Sequence, residues 1–418
     1  MERVALVVFW ISLAVLAYTY AGYPVLLWAV RALRRGRRSG RTGESPDIQG
    51  SSGLQSTRGS QPCGAGGSAG RRTAAAREQE LPRATLVIAA YNEEAVIAEK
   101  LENALALDYP DGALEIIVSS DGSTDRTNEI VDGYADRGVR LVAVPEEERR
   151  GQCVAFERGL AAATGEVVFF SDSTGMYNAE ALARMARHFA DEKVGCVGGE
   201  IRYVSGDSVV GEGTGAYWRY ERIIKRLQSD AFSNTTISGA IFGLRRDLYP
   251  SVPAETGSDM IVPMSIVSGG YRVVYEPGAV ASEATTESAR DELRMRVRIP
   301  VRGFASMAYG WRAMNPLRHP VVFLNVVSHK ALRWLAGLFM ILLLGSNVVL
   351  VRVGGFYLVF LAVQLLFYAG AGIGYLLRDK KKTLFNIPYY FCLLNFSALA
   401  GFVQFLFGKR IARWEPAR

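Results

Sequence analysis

Apolar sequence is concentrated at the two ends of this chain, and that division limits the possible folds more than any other feature. Val4 to Val30 is apolar apart from its hydroxyls, is long enough to cross a bilayer, and is followed at once by Arg31, Arg34, Arg35, Arg37 and Arg38. A cleaved signal peptide carries its charge before the apolar run. Here the arginines follow it, so residues 1–35 are expected to form an uncleaved anchor, with the N-terminus outside and the arginines in the cytosol. At the other end, Leu335–Val351, Phe356–Leu377 and Ile387–Phe407 are spanning candidates. Val321–Trp334 carries His329, Lys330 and Arg333 within an apolar pattern and fits a helix lying in the interface. If every candidate spans, the cluster Lys409, Arg410 and Arg413 falls outside, against the positive-inside tendency. Either the last segment is re-entrant, or the Val321 segment also crosses, or the tendency fails here.

Residues 36–83 are rich in Gly, Ser, Arg and Ala without apolar periodicity, and are expected to be a flexible cytosolic linker. The net charge of +7 is modest, and much of it sits beside apolar segments. With no nucleic-acid-binding motif, it speaks for membrane orientation and against nucleic acid as a partner. The cysteines Cys63, Cys153, Cys196 and Cys392 form no CxxC or disulfide framework, which fits a reducing compartment. The histidines His188, His319 and His329 are too scattered for a zinc site.

Residues 84–303 read as one α/β domain. Strand-like runs at Thr85–Ala90, Leu114–Ser119, Val139–Pro145 and Glu166–Ser171 alternate with helix-like runs at Glu93–Leu107, Thr124–Arg137 and Val154–Ala163. That alternation predicts a mainly parallel sheet with helices on both faces, its ligand at the carboxyl ends of the strands. Those ends are polar. The first strand runs into Ala89-Ala90-Tyr91-Asn92-Glu93-Glu94, the second into Ser119-Ser120-Asp121-Gly122-Ser123-Thr124-Asp125, and the fourth into Asp172-Ser173-Thr174. A carboxylate there can accept from a base or ribose, or hold Mg²⁺ or Mn²⁺ against a diphosphate, since these ions keep few protein ligands. Helix capping by Asn92 and Ser123 accounts for part of the pattern. Further on, Asp259 stands where either a general base or an N-cap would stand. Arg294, Arg296, Arg298 and Arg302 recur at helical spacing, able to bind a diphosphate or to contact lipid headgroups.

In this order and spacing the chain resembles the family 2 glycosyltransferases, in the membrane-bound branch related to cellulose, hyaluronan and poly-N-acetylglucosamine synthases. The resemblance covers Ala84 to about Gly303 and rests on Ala-Tyr-Asn-Glu, Asp-Gly-Ser-Thr-Asp, Phe-Ser-Asp and the acid before Gly-Tyr-Arg-Val. It implies the GT-A nucleotide-sugar fold and inversion at the anomeric carbon. It also implies that Tyr91, Glu93 and Asp121 contact base and ribose, that Asp172 begins the metal-binding DxD motif, that Asp259 is the catalytic base, and that Arg296 and Arg298 occupy the Gln-x-x-Arg-Trp element at diphosphate or acceptor. The chain departs from the family at four places. Thr174 replaces the second DxD acid, Gln152 the lysine of Gly-Lys, Ser258 the acid before the base, and Ile299 the tryptophan that marks processive synthases.

The expectation is therefore an inverting hexosyltransferase with Mg²⁺ or Mn²⁺ as cofactor. It would move a hexose or N-acetylhexosamine from a nucleotide sugar, a UDP-sugar, to a lipid-linked or polysaccharide acceptor in envelope or exopolysaccharide synthesis. The expected place is a multi-pass position in a bacterial inner membrane, against membrane lipid, with residues 304–418 as interfacial helix and membrane region. Thr174, Gln152 and Ser258 motivate an alternative, a catalytically silent relative serving in an envelope-assembly complex. A transporter with a sensor domain ranks last, because the apolar segments hold few charges.

Overall fold

A computed structural model of the protein describes residues 1–39, 81–204, 210–284, 289–377 and 384–413. The expected linker lies almost wholly outside the described residues, as does the basic cluster Arg378–Lys382 but for its surroundings.

Eight strands form one sheet: Ala84–Ala90 (β1), Leu114–Asp121 (β2), Val139–Val144 (β3), Val167–Asp172 (β4), Met176–Tyr177 (β5), Val194–Val204 (β6), Ile241–Arg245 (β7) and Arg272–Ala284 (β8), in the order β3-β2-β1-β4-β7-β6-β8-β5. All seven residues of β1 are buried, which is why it reads as an apolar run broken only by Thr85. Successive side chains still diverge. Leu86 and Ile88 pack with Ile97, Leu101, Phe169, Leu182 and Met185 under one layer of helices. Val87 and Ala89 face Phe156, Phe170, Phe242 and Ile261 under the other.

The expected α/β sheet is present but mixed. β1 pairs in parallel with β2 and β4, and β2 with β3, whereas β4–β7, β6–β7 and β5–β8 are antiparallel. Short runs buried on both faces carry no sign of strand direction, so sequence could not separate the two halves. The parallel half places the site. Ala90 lies opposite Ser120, and Ala89 opposite both Ser119 and Asp172, so the three polar strand ends emerge side by side. The chain leaves β1 toward β2 and β3, then returns to β4 on the other side, and this reversal is where such sheets open a crevice.

Glu2–Arg34, Gly355–Leu376 and Asn386–Leu406 are long and apolar enough to cross a membrane, by length and composition. Pro320–Trp334 and Ala336–Leu350 form a bent pair with a 57° break. The α/β domain and the apolar helices share a core: Met260 and Met264, from the helix Ser258–Ser268, pack with Phe304, Val322, Trp334 and Ala398. His329 and Arg333, expected at an interface, point inward and are 1% and 7% exposed. Glu221 provides the cause, pairing with both.

Candidate active site

Tyr91, Asp121 and Asp172 line one small cleft with Arg149, Gly151 and Gln152. Its walls begin with two loops that the sequence assigns to helix caps. Neither Asn92 nor Ser123 caps a helix. Asn92 takes a left-handed conformation at φ +51°; its backbone N–H donates to Ser123 Oγ at 3.1 Å and its side-chain oxygen accepts from the Thr124 N–H at 2.8 Å. The two residues therefore tie the β1 and β2 ends together. Asp125 lies just before the helix Thr127–Asp132, and its carboxylate accepts from the Thr127 N–H at 2.9 Å and the Glu94 N–H at 3.1 Å. Glu93 is buried, and its N–H donates to Thr127 Oγ1 at 2.7 Å.

Asp121 is 3% exposed and accepts from the Arg150 N–H at 3.1 Å, the Gly151 N–H, and Arg158 Nη1 at 3.0 Å. These donors use most of a carboxylate's capacity, so Asp121 shapes the Arg150–Gly151 turn. Gly151 has φ +99°, and a Cβ there would meet the Ala412 carbonyl oxygen at 2.2 Å. The tail beyond the last apolar helix thus passes directly behind the cleft. At the mouth, the Arg149 guanidinium lies over the Tyr91 ring, 3.3 Å from its centroid, presenting a flat cationic surface.

Asp172 ends β4. Burial raises its carboxyl to about 6, although the hydrogen bond from Gln152 Nε2 and the charge of Lys100 oppose the rise. Lys100 is wholly buried, donates to the Gly175 carbonyl and sits 3.9 Å over the Tyr177 ring. Burial brings its amine down to about 7 against the charges of Asp172 and Glu283. Burial and the Asp172 charge lift Glu283 to about 8. The charge of Arg298 acts on Asp172 as well, and burial holds its guanidinium near 10. Arg296 does not join it: the guanidinium turns to the Tyr390 hydroxyl and lies 5.1 Å over that ring. Nor does Arg302 reach lipid, because Arg302 Nε donates to the Thr256 carbonyl at 3.0 Å.

Asp259 sits in the first turn of Ser258–Ser268, half-buried, at the positive end of the helix. A Cβ on Gly257 would fall 2.2 Å from Asp259 Oδ1, so the glycine makes room for this carboxylate. The helix Gln152–Ala162 joins the two regions. Gln152 touches Asp172, while the thiol of its neighbour Cys153 is 3.5 Å from the Thr256 carbonyl.

Among the described residues no three His, Cys, Asp or Glu side chains form a metal cluster. One carboxylate, Asp172, with the exposed Thr174 hydroxyl two residues on, suits a divalent ion that arrives on a diphosphate, not a standing metal site. The buried Ser173 hydroxyl beside it has no hydrogen-bond partner, a polar atom left for a ligand shell.

Residues 85–252 match the family model described as glycosyl transferase family 2. The chain carries a family 2 glycosyltransferase domain. It is 31% identical over 226 residues to the poly-beta-1,6-N-acetyl-D-glucosamine synthase of Staphylococcus aureus (strain COL), covering 52% of this chain and 54% of that one. It is 27% identical over 233 residues to the probable glycosyltransferase YdaM of Bacillus subtilis (strain 168), covering 53% and 55%. The chain spans about half the length of the curated relatives it matches. Among solved structures it resembles the mannosyltransferase PcManGT from Pyrobaculum calidifontis, solved in complex with GDP-Man and Mn²⁺. That likeness has a TM-score of 0.66 at 22% identity and covers 96% of this chain and 99% of the other. It shows the GT-A-like fold.

Sequence reasoning about the glycosyltransferase domain missed Lys100, Arg149, Arg158 and Glu283. Lys100 has the one signal that was readable, a lysine on the apolar face of Ile97–Leu105 between Ile97, Leu101 and Ala104.

Proposed function

We propose that the protein is an inverting glycosyltransferase that moves a hexose or N-acetylhexosamine from a UDP-sugar to a membrane-associated acceptor. The observation that carries this reading is the strand register that gathers Tyr91, Asp121 and Asp172 around one cleft. The base packs at the Arg149–Tyr91 mouth, and the Arg150–Gly151 turn held by Asp121 receives the ribose and diphosphate. Asp172 and Thr174 hold Mg²⁺ or Mn²⁺, which when bound neutralises charge on the diphosphate. Lys100 and Arg298 supply cationic field where the family has the lysine replaced by Gln152, which favours an active enzyme over a silent relative. Asp259 takes the proton of an acceptor hydroxyl as that oxygen attacks the anomeric carbon in line, and the nucleoside diphosphate leaves from the opposite face. Asp259→Asn is expected to keep UDP–Mn²⁺ affinity and lose transfer. Near-normal turnover of that variant would remove Asp259 from the mechanism.

The acceptor lies at the membrane. Arg31 pairs with Asp230 at 2.8 Å, and Arg34 covers Phe232 at 4.9 Å, so the first helix ends at the catalytic domain. Gly355–Leu376 runs alongside it in the same direction: Phe9 packs on Phe356 and Phe360, whereas Leu16 packs near Phe367 and Ala371. Asn386–Leu406 starts against that domain-side end, and its tail reaches Gly151. A helix with both ends on one side dips or lies in the interface. This reading keeps Lys409, Arg410 and Arg413 with the domain in the cytosol, as the positive-inside tendency asks.

A further inference from the structure

The turn from Tyr309 to His319 joins the helix Ala289–Tyr309 to the bent apolar pair that begins at Pro320. One side of it is fixed. A Cβ on Gly310 would fall 2.6 Å from Met264 Cε, and Ala313 and Met314 pack on the core around Met260 and Phe304. Asn315 shapes the bend: its side-chain oxygen accepts from the Leu317 N–H at 2.9 Å and the Arg318 N–H at 3.3 Å, and its carbonyl accepts from the His319 N–H at 2.7 Å. The other side is open. Tyr309, Trp311, Arg312, Asn315, Arg318 and His319 line a hollow of about 780 Å³. Beside it Trp311 and Leu317 are 63% and 93% exposed, apolar surface of a kind that marks a contact.

The hollow is cationic. No carboxylate lines it, and among the described residues none pairs with Arg312 or Arg318. The sequence holds no Asp or Glu at all from Leu293 to Arg378. The Arg312 guanidinium lies 5.6 Å from the centroid of the Trp311 ring, so cation and indole form one surface.

Its level relative to the apolar helices follows from two hydrogen bonds. Tyr18 Oη pairs with Ser328 Oγ at 2.8 Å, and Tyr23 Oη donates to Asn325 Oδ1 at 2.9 Å. The segment from Pro320 therefore runs opposite to the first apolar helix. His319 precedes Asn325 by six residues, about 9 Å of helix. The same length beyond Tyr23 reaches Ala29, just before the arginines that close the apolar run. The hollow thus stands where a spanning first helix would meet the headgroups.

We propose that this hollow binds an anionic phospholipid of the leaflet nearest the α/β domain. Arg312 and Arg318 take the phosphate through charge-assisted bonds, and Trp311 and Leu317 enter the boundary between headgroup and acyl chain. Level, charge and amphipathic rim all fit that occupant, whereas a soluble anion would use the arginines alone and leave Trp311 and Leu317 in water. The site shares no residue with the donor cleft and does not depend on the glycosyltransferase reading.

The test titrates the full chain in dodecyl maltoside with dioleoylphosphatidylglycerol, dioleoylphosphatidylcholine or inorganic phosphate, and reads thermal stabilisation. Phosphatidylglycerol should stabilise the protein saturably, and the other two should not. The double variant Arg312→Gln, Arg318→Gln should weaken the apparent affinity about tenfold or more, as loss of charge-assisted bonds does. Both side chains are exposed, so without lipid its Tm should match the parent's. Trp311→Ser should also weaken binding, which a site for phosphate alone would not show. The same change of charge at Arg37→Gln, Arg38→Gln should leave the affinity as it was. Equal responses to the two lipids, unchanged affinity in the Arg312, Arg318 variant, or an equal loss in the Arg37, Arg38 variant overturns the site. Stabilisation by inorganic phosphate that matches the lipid's overturns the lipid as its occupant.

Discussion

Glu221→Gln is the sharpest test of how the domain is fixed to the apolar helices. The carboxylate is 2% exposed and compensates Arg333, Lys330 and the His329 ring at once. Glutamine keeps the shape and one acceptor but removes the charge, so the cations of the membrane-side segment are left facing each other. Breaking a buried pair by removing one partner costs about 3–5 kcal/mol. If most of that loss appears in the unfolding rate, the half-life at a fixed temperature shortens on the order of a hundredfold or more. The assay is the decay of folded protein in detergent at several temperatures, since unfolding of such a protein is read as a rate. Adding Arg333→Gln should recover part of the loss, because the charge imbalance is then smaller. The pH dependence has a definite sign. Burial alone would push the Glu221 carboxyl up, but the charges of Arg333 and Lys330 outweigh it and hold it well below 4.5. Its contribution is therefore present above its unfolded value of 4.5 and lost as pH falls through the lower folded value. Glu221→Gln should flatten that acid limb. Equal half-lives for variant and parent at neutral pH would refute the argument that this carboxylate holds the junction.

Three further outcomes follow from the donor cleft. UDP–Mn²⁺ affinity should fall about tenfold per pH unit below the Asp172 value of about 6, because the protonated acid is no longer a ligand, and should level off above 7; titration calorimetry across pH 5–8 reads it. Thr174→Asp should tighten Mn²⁺ binding in the absence of UDP, and tight binding by the unaltered apo protein would mean other ligands complete the site. Gly151→Ala forces a side chain into φ +99° and against the Ala412 carbonyl. It should cost about 1–3 kcal/mol in backbone strain and release the tail, seen as faster tryptic cleavage after Arg410 and Arg413.

The strand ends were legible because parallel sheets expose their ligands there and because acids are rare at the end of a buried run. That logic reached Tyr91, Asp121 and Asp172 without a structure. It failed at Asn92 and Ser123, where a side chain with capping chemistry found a better partner in the neighbouring loop, a contact between distant segments. Arg296 and Arg298 were inseparable in sequence, since both lie on one helix. Only the position of Tyr390 draws the first away and leaves the second with Asp172. Glu221 and Lys225 are both buried, although their i, i+4 spacing is one that sequence alone assigns to an exposed helix pair. Their burial depends on His329, Lys330 and Arg333, whose own charges read as lipid-facing until the partner helix is in place.

The close approach of Ala412 to Gly151, which lines the cleft, joins two stretches of chain made at very different times. A ribosome completes the sheet long before the tail exists, and the tail reaches Gly151 only after the apolar helices before it have found their places. A chain stalled outside the lipid would lack the tail that packs against Gly151.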